Sequence, residues 1–425
     1  MKIAVIVQRA GKDFTGGSEA YALELAKQLS TFPDTRVDLL TTTARDHHTW
    51  KNAFPPGQEE LSDTLTMIRF RVNRERGKSW DALYNYTEKQ SGRSGGHRGN
   101  FYRSLPLGLA EEWLIAQGPW STALLDYLEE EQDTYDRFIF LTYLYSTTYH
   151  GVDRIRDRNK VFIVPTFHDE PAAYLPVFLK YRSYRHLFLT EEEGNVAREL
   201  IYNGSVPSAL LGYGMPDRFG MDLSKVEAGL QTGGKPYILY AGRLEDGKGV
   251  RKLFKMFEQV APDHPGLQLY TIGNGDLKDY RHERIHYQGF VSEEVKLALM
   301  KNAIALVHPS PFESLSIVLL EAFMMGVPGL VNGASRVLRD HIKLSGAGYH
   351  YEDESSFRHG LAALMAPRQK GNNPGEHGRR YFLENYSLES YRERIRQHII
   401  DAPTGITPVA ELRADPSAES PAAPG

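Results

Sequence analysis

Lys2-Ile3-Ala4-Val5-Ile6-Val7, then Gly16-Gly17, then a helical pattern over 19–29, then Val37-Asp38-Leu39-Leu40-Thr41: this succession decides the fold. Residues 3–7 are short, continuous and β-branched, the pattern of a strand covered on both faces of a parallel sheet. Ala22, Leu25, Ala26 and Leu29 recur at helical spacing, and 37–41 return to strand. Strand, glycine loop, helix, strand is the opening βαβ unit of a doubly wound α/β domain. Strands are expected again at 138–141, 161–164 and 186–189, with helical patterns at 111–114 and 122–128. A second α/β series starts near Lys235. It runs through strand 237–240, helix 250–260, strand 267–272 ending in Gly273-Asn274-Gly275, helix 293–300, strand 304–307, helix 316–325 and strand 327–331. Two similar halves therefore meet near 212–218.

Length and composition agree with this. At 425 residues the chain is long enough for two or three domains. Lys and Arg number 50 against 54 Asp and Glu, a balance that argues against nucleic acid as a partner. There is no cysteine, which excludes disulfides, thiol catalysis and zinc–thiolate or iron–sulfur sites. The longest apolar segment, 315–331, is broken by Glu321, so no membrane span is expected. Lys2 and a short apolar run followed at once by Gln8 and Arg9 do not read as a signal peptide, and a cytoplasmic protein is expected.

Residues 66–103 stand apart. Arg69, Arg71, Arg74, Arg76, Lys78, Lys89, Arg93, Arg98 and Arg103 face only Glu75, Asp81 and Glu88, with Phe70, Trp80, Tyr84, Tyr86, Phe101 and Tyr102 interleaved. Residues 91–99 are rich in Gly, Ser and Arg and read as a mobile loop. The stretch suits an anionic lipid headgroup or lipid-diphosphate, or is a solvated variable loop.

The strongest chemical signal is Pro309-Ser310-Pro311-Phe312-Glu313-Ser314-Leu315-Ser316-Ile317-Val318-Leu319-Leu320-Glu321. Glu313 is placed in the loop and Glu321 about two turns inside the following helix. The free N–H groups and positive dipole end between them suit a phosphate. A ligand with a phosphate centre and hydroxyls at both ends, a nucleotide sugar, would fit. The plain alternative is one carboxylate capping the helix and another in solvent. In Tyr240-Ala241-Gly242-Arg243-Leu244-Glu245-Asp246-Gly247-Lys248-Gly249, a glycine turn after a strand carries Arg243 and Lys248. Two cations converging there would neutralise a diphosphate without a metal; otherwise they are solvated loop cations.

Gly16-Gly17-Ser18-Glu19 is not a dinucleotide fingerprint. The glycine pair permits close approach of an anion or substrate, or simply makes a tight turn. Pro165-Thr166-Phe167-His168-Asp169-Glu170 follows a strand, where α/β proteins bind ligands. His168 could bond a sugar hydroxyl with Asp169 or Glu170 nearby, or be an ordinary loop histidine; a metal site there lacks a third ligand.

Together these segments resemble the family 4 retaining glycosyltransferases of the GT-B superfamily, in particular a bacterial polysaccharide branch. The likeness spans most of residues 1–400 and is sharpest over 237–333. It rests on Glu313 and Glu321 as E-x7-E, Gly242 to Gly249 as G-R-L-x3-K-G, Gly16 to Glu19 as G-G-x-E, Gly273 to Gly275 as G-x-G, and the Gly212-Tyr213-Gly214-Met215 turn. Val331-Asn332-Gly333 and Ala347-Gly348-Tyr349 add to it.

The resemblance implies two Rossmann-like doubly wound domains facing across a cleft. Residues 1–215 would bind the acceptor, 216–380 the nucleotide sugar, 381–402 a helix crossing back to the first domain, and 403–425 a disordered tail rich in Pro, Ala and Ser. It implies that Glu313 contacts the donor sugar, Glu321 the ribose, Arg243 and Lys248 the diphosphate, and His168 the transferred sugar. His168, Arg243, Lys248 and Glu313 form the implied catalytic set. Gly16, Gly17, Gly242, Gly273, Gly275, Ser314, Leu315, Ser316 and Glu321 are implied to bind donor. No metal and no cofactor are expected: the nucleotide-diphosphate sugar is a substrate, and no D-x-D is evident. The acceptor would be a glycan, a lipid-linked sugar or a small molecule, with peripheral association at the inner membrane face. Ser314 and Ser316 depart from the family's usual glycines, and residues 50–130 match weakly, so acceptor recognition is not inherited. The rivals are a GT-B nucleotide-sugar epimerase or phosphorylase, and a non-catalytic binder of anionic surfaces.

Overall fold

The computed structural model describes residues 1–11, 17–93, 97–366 and 373–403. In the first half, β1 (Lys2–Ile6), β2 (Arg36–Thr42), β3 (Gly57–Ser62), β4 (Leu65–Phe70), β5 (Arg137–Leu141), β6 (Val161–Val164), β7 (Arg185–Phe188) and β8 (Ser208–Leu210) form one sheet. Its order is β3-β4-β2-β1-β5-β6-β7-β8. All neighbours are parallel except β3, which is antiparallel to β4. Every residue of β5 and β6 is buried, as continuous apolar strands with helices on both faces should be. On one face the helix Gly17–Ser30 lays Tyr21, Ala22, Leu25, Ala26 and Leu29 onto the core of Ile3, Val5, Val37 and Leu39.

The second half repeats the plan. β9 (Tyr237–Ala241), β10 (Gln268–Ile272), β11 (Ile285–Tyr287), β12 (Leu306–His308), β13 (Gly329–Asn332) and β14 (Gly348–Tyr351) are all parallel. Their order is β11-β10-β9-β12-β13-β14. In each sheet the order reverses once, between β1 and β5 and between β9 and β12. Connections leave in opposite directions at such a point, and a crevice opens beyond the strands' carboxyl ends. Segments that follow the strands' carboxyl ends in the two sheets meet. Thr190 Oγ1 donates to the Ser314 carbonyl at 3.2 Å, Arg243 Nη1 lies 3.2 Å from His47 Nε2, and Arg336 pairs with Glu192 and Glu199. Two doubly wound units facing across a cleft constitute the GT-B architecture that the sequence predicts.

The chain end ties the halves together. The helix Pro374–Asn385 packs on the helix Ile317–Met324 of the second half. The helix Leu388–Ile395 and the turn Arg396–Ile400 then return to the first half. Tyr391 donates to the Tyr21 hydroxyl at 3.3 Å, Arg394 to the Leu211 carbonyl at 2.8 Å, and Arg137 to the Ala402 carbonyl at 2.9 Å. Within the expected tail, residues 404–425 lie outside the described residues.

The basic stretch differs from the loop its composition suggests. It contains the helices Lys78–Arg93 and Arg98–Arg103, with 94–96 outside the described residues. Trp80 and Tyr102 are buried against Trp113 of the helix Leu107–Gln117. That apolar face orders the segment whatever its charge. Among the described residues, four of its nine cations are engaged: Arg69 with Glu59, Arg98 with Glu88, Arg76 with the Gln117 carbonyl and amide oxygens, and Arg103 with the Leu200 carbonyl.

Candidate active site

At the second crevice three strand-end loops pack backbone to backbone. Gly249 sits at φ 73°, and a Cβ there would stand 2.3 Å from the Pro309 carbonyl oxygen. Only glycine lets the loop after β9 lie this close to the loop after β12. Likewise a Cβ on Gly273 would meet the Gly242 carbonyl oxygen at 2.0 Å, and one on Gly275 the Leu244 carbonyl oxygen at 2.4 Å. These glycines, read in the sequence as donor contacts, are thus required first by neighbouring loops. Gly17 begins the helix Gly17–Ser30 in open space, with no atom within 4 Å of a Cβ placed there. Gly16 lies outside the described residues.

This packing brings Lys248 and Glu313 together. Lys248 Nζ lies 2.7 Å from Glu313 Oε1, and His308 Nε2 lies 3.8 Å from the same oxygen. Burial pushes the Glu313 carboxyl up, but Lys248, His308 and hydrogen bonds from Lys248 and Ser310 outweigh it and lower it to about 2. His308 is driven down to about 4, chiefly by burial, and is neutral near pH 7. Asn332 Nδ2 donates to the Pro309 carbonyl at 2.8 Å and fixes the start of the loop.

Beyond Glu313 the chain enters the helix Ile317–Met324 without a side-chain cap. Ser292, Ser335 and Asp353 each cap a helix of this half with a side-chain oxygen, as Ser387 caps the helix that returns to the first half. Ser316 does not: it holds φ 68°, and its buried Oγ has no partner among the described residues. The Leu319 N–H donates to the Ser316 carbonyl at 3.1 Å, and the Ile317 and Val318 N–H groups, without a partner among the described residues, keep their capacity for an external acceptor, with the positive dipole end behind them. Leu315 is buried, and its carbonyl accepts from His341 Nε2 at 2.9 Å.

Arg243 has partners other than those of Lys248. It is 45% exposed, 3.1 Å from Glu245, and reaches His47 of the first half. Burial, then the charges of His48, Arg243, Arg9 and Arg76, lower His47 to about 3, so it can accept from Arg243. His168 meets the second half by stacking on Phe312, with ring centroids 5.7 Å apart, one residue before Glu313. Its Nδ1 lies 3.4 Å from Glu170, whose Oε1 accepts from the Tyr143 hydroxyl at 2.5 Å.

The sequence reading missed the supports of these groups. Glu193 is fully buried and accepts from the Phe167 N–H at 2.7 Å and the Leu189 N–H at 2.6 Å, clamping the His168 loop to the end of β7. Burial raises its carboxyl to about 8. Thr190, the cap of the next helix, links that clamp to Ser314. The T-x-x-E spacing of Thr190 and Glu193 is a capping signature that could have flagged them. Glu321, for which a solvated role was the alternative, is instead paired with Lys296 at 2.7 Å. Among the described residues no group of three or more His, Asp or Glu is arranged to hold a metal ion.

Residues 225–381 match the family model described as glycosyl transferases group 1. An uncharacterised glycosyltransferase of Methanocaldococcus jannaschii is 32% identical over 111 residues, 24% of this chain and 28% of that protein. A glycogen synthase of Mycobacterium tuberculosis is 34% identical over 104 residues, 22% of this chain and 25% of that protein. The chain thus spans about a quarter of the length of the curated relatives it matches. Among solved structures, sucrose-phosphate synthase from Thermosynechococcus elongatus aligns with a TM-score of 0.67 at 15% identity, covering 93% of this chain and 97% of that one. An Anabaena protein solved with UDP and glucose aligns with a TM-score of 0.59 at 13% identity, covering 93% and 98%. These structures share the fold.

Proposed function

We propose that this chain is a retaining glycosyltransferase of the family 4 type. It would move a hexose from a nucleotide-diphosphate sugar to a hydroxyl of a glycan, lipid-linked or small-molecule acceptor. The observation that carries the reading is the half-buried Lys248–Glu313 pair beside an uncapped helix start at a sheet switch point. The match of residues 225–381 to the glycosyl transferases group 1 model, a glycosyltransferase relative, and an Anabaena fold neighbour solved with UDP and glucose support a nucleotide-sugar donor.

In this reading the diphosphate lies against the helix start, Lys248 and Arg243, and no metal is needed. Glu313, anionic and held by Lys248, accepts from hydroxyls of the transferred sugar. His168 approaches that sugar from the first half. When the anomeric C–O bond breaks, its electron pair leaves with the nucleoside diphosphate, whose growing charge the cations and helix N–H groups stabilise. The acceptor oxygen bonds to the anomeric carbon on the same face, and its proton passes to the departing phosphate oxygen. The acceptor would occupy the first half, and the protein would work in the cytoplasm at the inner membrane face.

The test is release of nucleoside diphosphate from UDP-, GDP- and ADP-hexoses, with and without glycan or lipid-linked acceptors. Acceptor-dependent release by the wild type, lost in Glu313→Ala, supports the proposal. Release that is independent of acceptor would favour an epimerase or hydrolase instead.

A further inference from the structure

Glu321 is a largely enclosed carboxylate that the donor reading assigns to the ribose, and its surroundings go beyond that assignment. Lys296, on the helix Glu293–Lys301, places its Nζ 2.7 Å from Glu321 Oε1 and 2.8 Å from Glu293 Oε2. Arg218 Nη1 lies 2.7 Å from Glu293 Oε1. Cation, anion, cation and anion thus alternate from the surface inward, and the inner pair is only 20% and 15% exposed. Glu321 Oε2 takes no hydrogen bond among the described residues, yet it is not sealed from solvent. One carboxylate oxygen is therefore committed and the other is open.

We propose that Lys296 is a positioning residue of the donor site, fixing one oxygen of Glu321 so that the other is presented to a hydroxyl of the donor's nucleoside. This rests on the donor-site reading above. The physical case is charge as well as geometry. Glu321 lies close to Glu293, and both act on Tyr213, together with Glu24 of the first half. Burial and Glu293 push the Glu321 carboxyl up, while Lys296 and, more weakly, Arg218 pull it down; the net direction is upward. Without the ammonium, Glu321 would keep its burial and the nearby Glu293 charge with its main counter-charge gone, and would take up a proton at higher pH. A protonated Glu321 donates through one oxygen and accepts poorly, which suits a hydroxyl-bearing ligand less well.

Lysine also fits the geometry. Its compact ammonium has three donors, two of them engaged by Glu293 and Glu321, and the pairing joins the helix before β12 to the helix after it. Nothing in the local sequence signals this, because Lys296 reads as one more cation on a charged helix face.

The experiment is calorimetric titration of UDP, GDP and ADP into wild type, Lys296→Met, Lys296→Arg and Glu321→Gln, across pH 5.5–8.5. Thermal melts accompany each variant. For the nucleotide the wild type binds, Lys296→Met should be weakened on the order of tenfold at pH 6 and approach wild type at pH 8.5, its midpoint moved up by about one pH unit or more. Lys296→Arg should restore the wild-type profile, which a merely structural role would not require. In turnover the loss should fall on KM for the donor and spare kcat, because the nucleoside end is remote from the reacting bond. Wild-type binding by Lys296→Met at every pH, with Glu321→Gln impaired, overturns the proposal and leaves the donor site standing. Wild-type binding by Glu321→Gln removes the donor-site reading and this inference with it. If Lys296→Met fails to fold, Lys296→Gln takes its place: an unshifted profile there overturns the proposal.

Discussion

The Lys248 ammonium and the Glu313 carboxylate, 65 residues apart in sequence, lie 2.7 Å apart where the loops after β9 and β12 meet. Each explains the other's burial. Glu313 is 14% exposed and would be costly to ionise alone; with Lys248 beside it, its carboxyl falls to about 2 from an ordinary 4.5. A carboxyl depressed on folding stabilises the native state above its unfolded value and loses that contribution as pH falls through the folded one. For Glu313 this is about 3 kcal/mol, released between pH 4.5 and about 2. Lys248→Ala should reverse the trend. Burial then dominates, the carboxyl rises, and the variant should gain stability on mild acidification while the wild type loses it. Urea unfolding of both proteins at pH 3 to 7 would show it, and parallel slopes would contradict the pairing.

Activity should follow the same pair. Glu313→Ala and Lys248→Ala each remove a charged contact at the reacting end of the donor, and each should lower turnover on the order of 100-fold, about 3 kcal/mol of barrier. Circular dichroism should remain that of the wild type, since Glu313 lies in a loop and Lys248 ends a single turn, both outside the strands and α-helices. Near-normal turnover by either variant would move the donor site elsewhere.

Ser316 makes a separate prediction about the helix start. It holds φ 68° with an Oγ that has no partner among the described residues. Ser316→Gly should relieve the left-handed strain, offset in part by the greater freedom of glycine in the unfolded chain, so the variant should melt at or above the wild-type temperature. Ser316→Val adds a branched side chain at the same φ and should lose about 2 kcal/mol or more. Differential scanning calorimetry of the two variants tests the sign.

The strands and the paired motifs were legible because they are local. Val161–Val164 and the helix Val250–Val260 coincide with their sequence patterns, and Gly242 to Gly249 and Glu313 to Glu321 could each be read along one segment. Less legible was what depends on contact between distant segments. β3 is polar and largely exposed, and β8 is only three residues long, so neither carries a strand signature. Gly273 and Gly275 look like ligand glycines in sequence, yet the neighbouring backbone already demands them. Glu193, Thr190 and Lys296 gain their meaning from partners on other elements.

The diphosphate charge is assigned to Lys248, Arg243 and the uncapped helix start, so turnover should survive EDTA. Complete loss on chelation, restored by magnesium or manganese, would mean that a metal shares that charge.

The last prediction concerns the first half. Among its basic residues, Arg98 and Arg103 are engaged by Glu88 and the Leu200 carbonyl, and removing them would disturb the helix Arg98–Arg103 itself. Lys78, Lys89 and Arg93 are exposed on the helix Lys78–Arg93, which also exposes Tyr84 and Tyr86. These three cations are the ones to neutralise. If the helix meets an anionic membrane, each contributes roughly 1 kcal/mol, so the triple glutamine variant should bind vesicles containing anionic lipid on the order of 100-fold more weakly at low salt. The difference should shrink as salt screens the surface. Nucleotide affinity should not change, because the donor loops lie in the other half. Co-sedimentation with anionic and neutral vesicles at two salt concentrations separates the outcomes: equal binding by both proteins would leave this helix as an ordinary solvated helix.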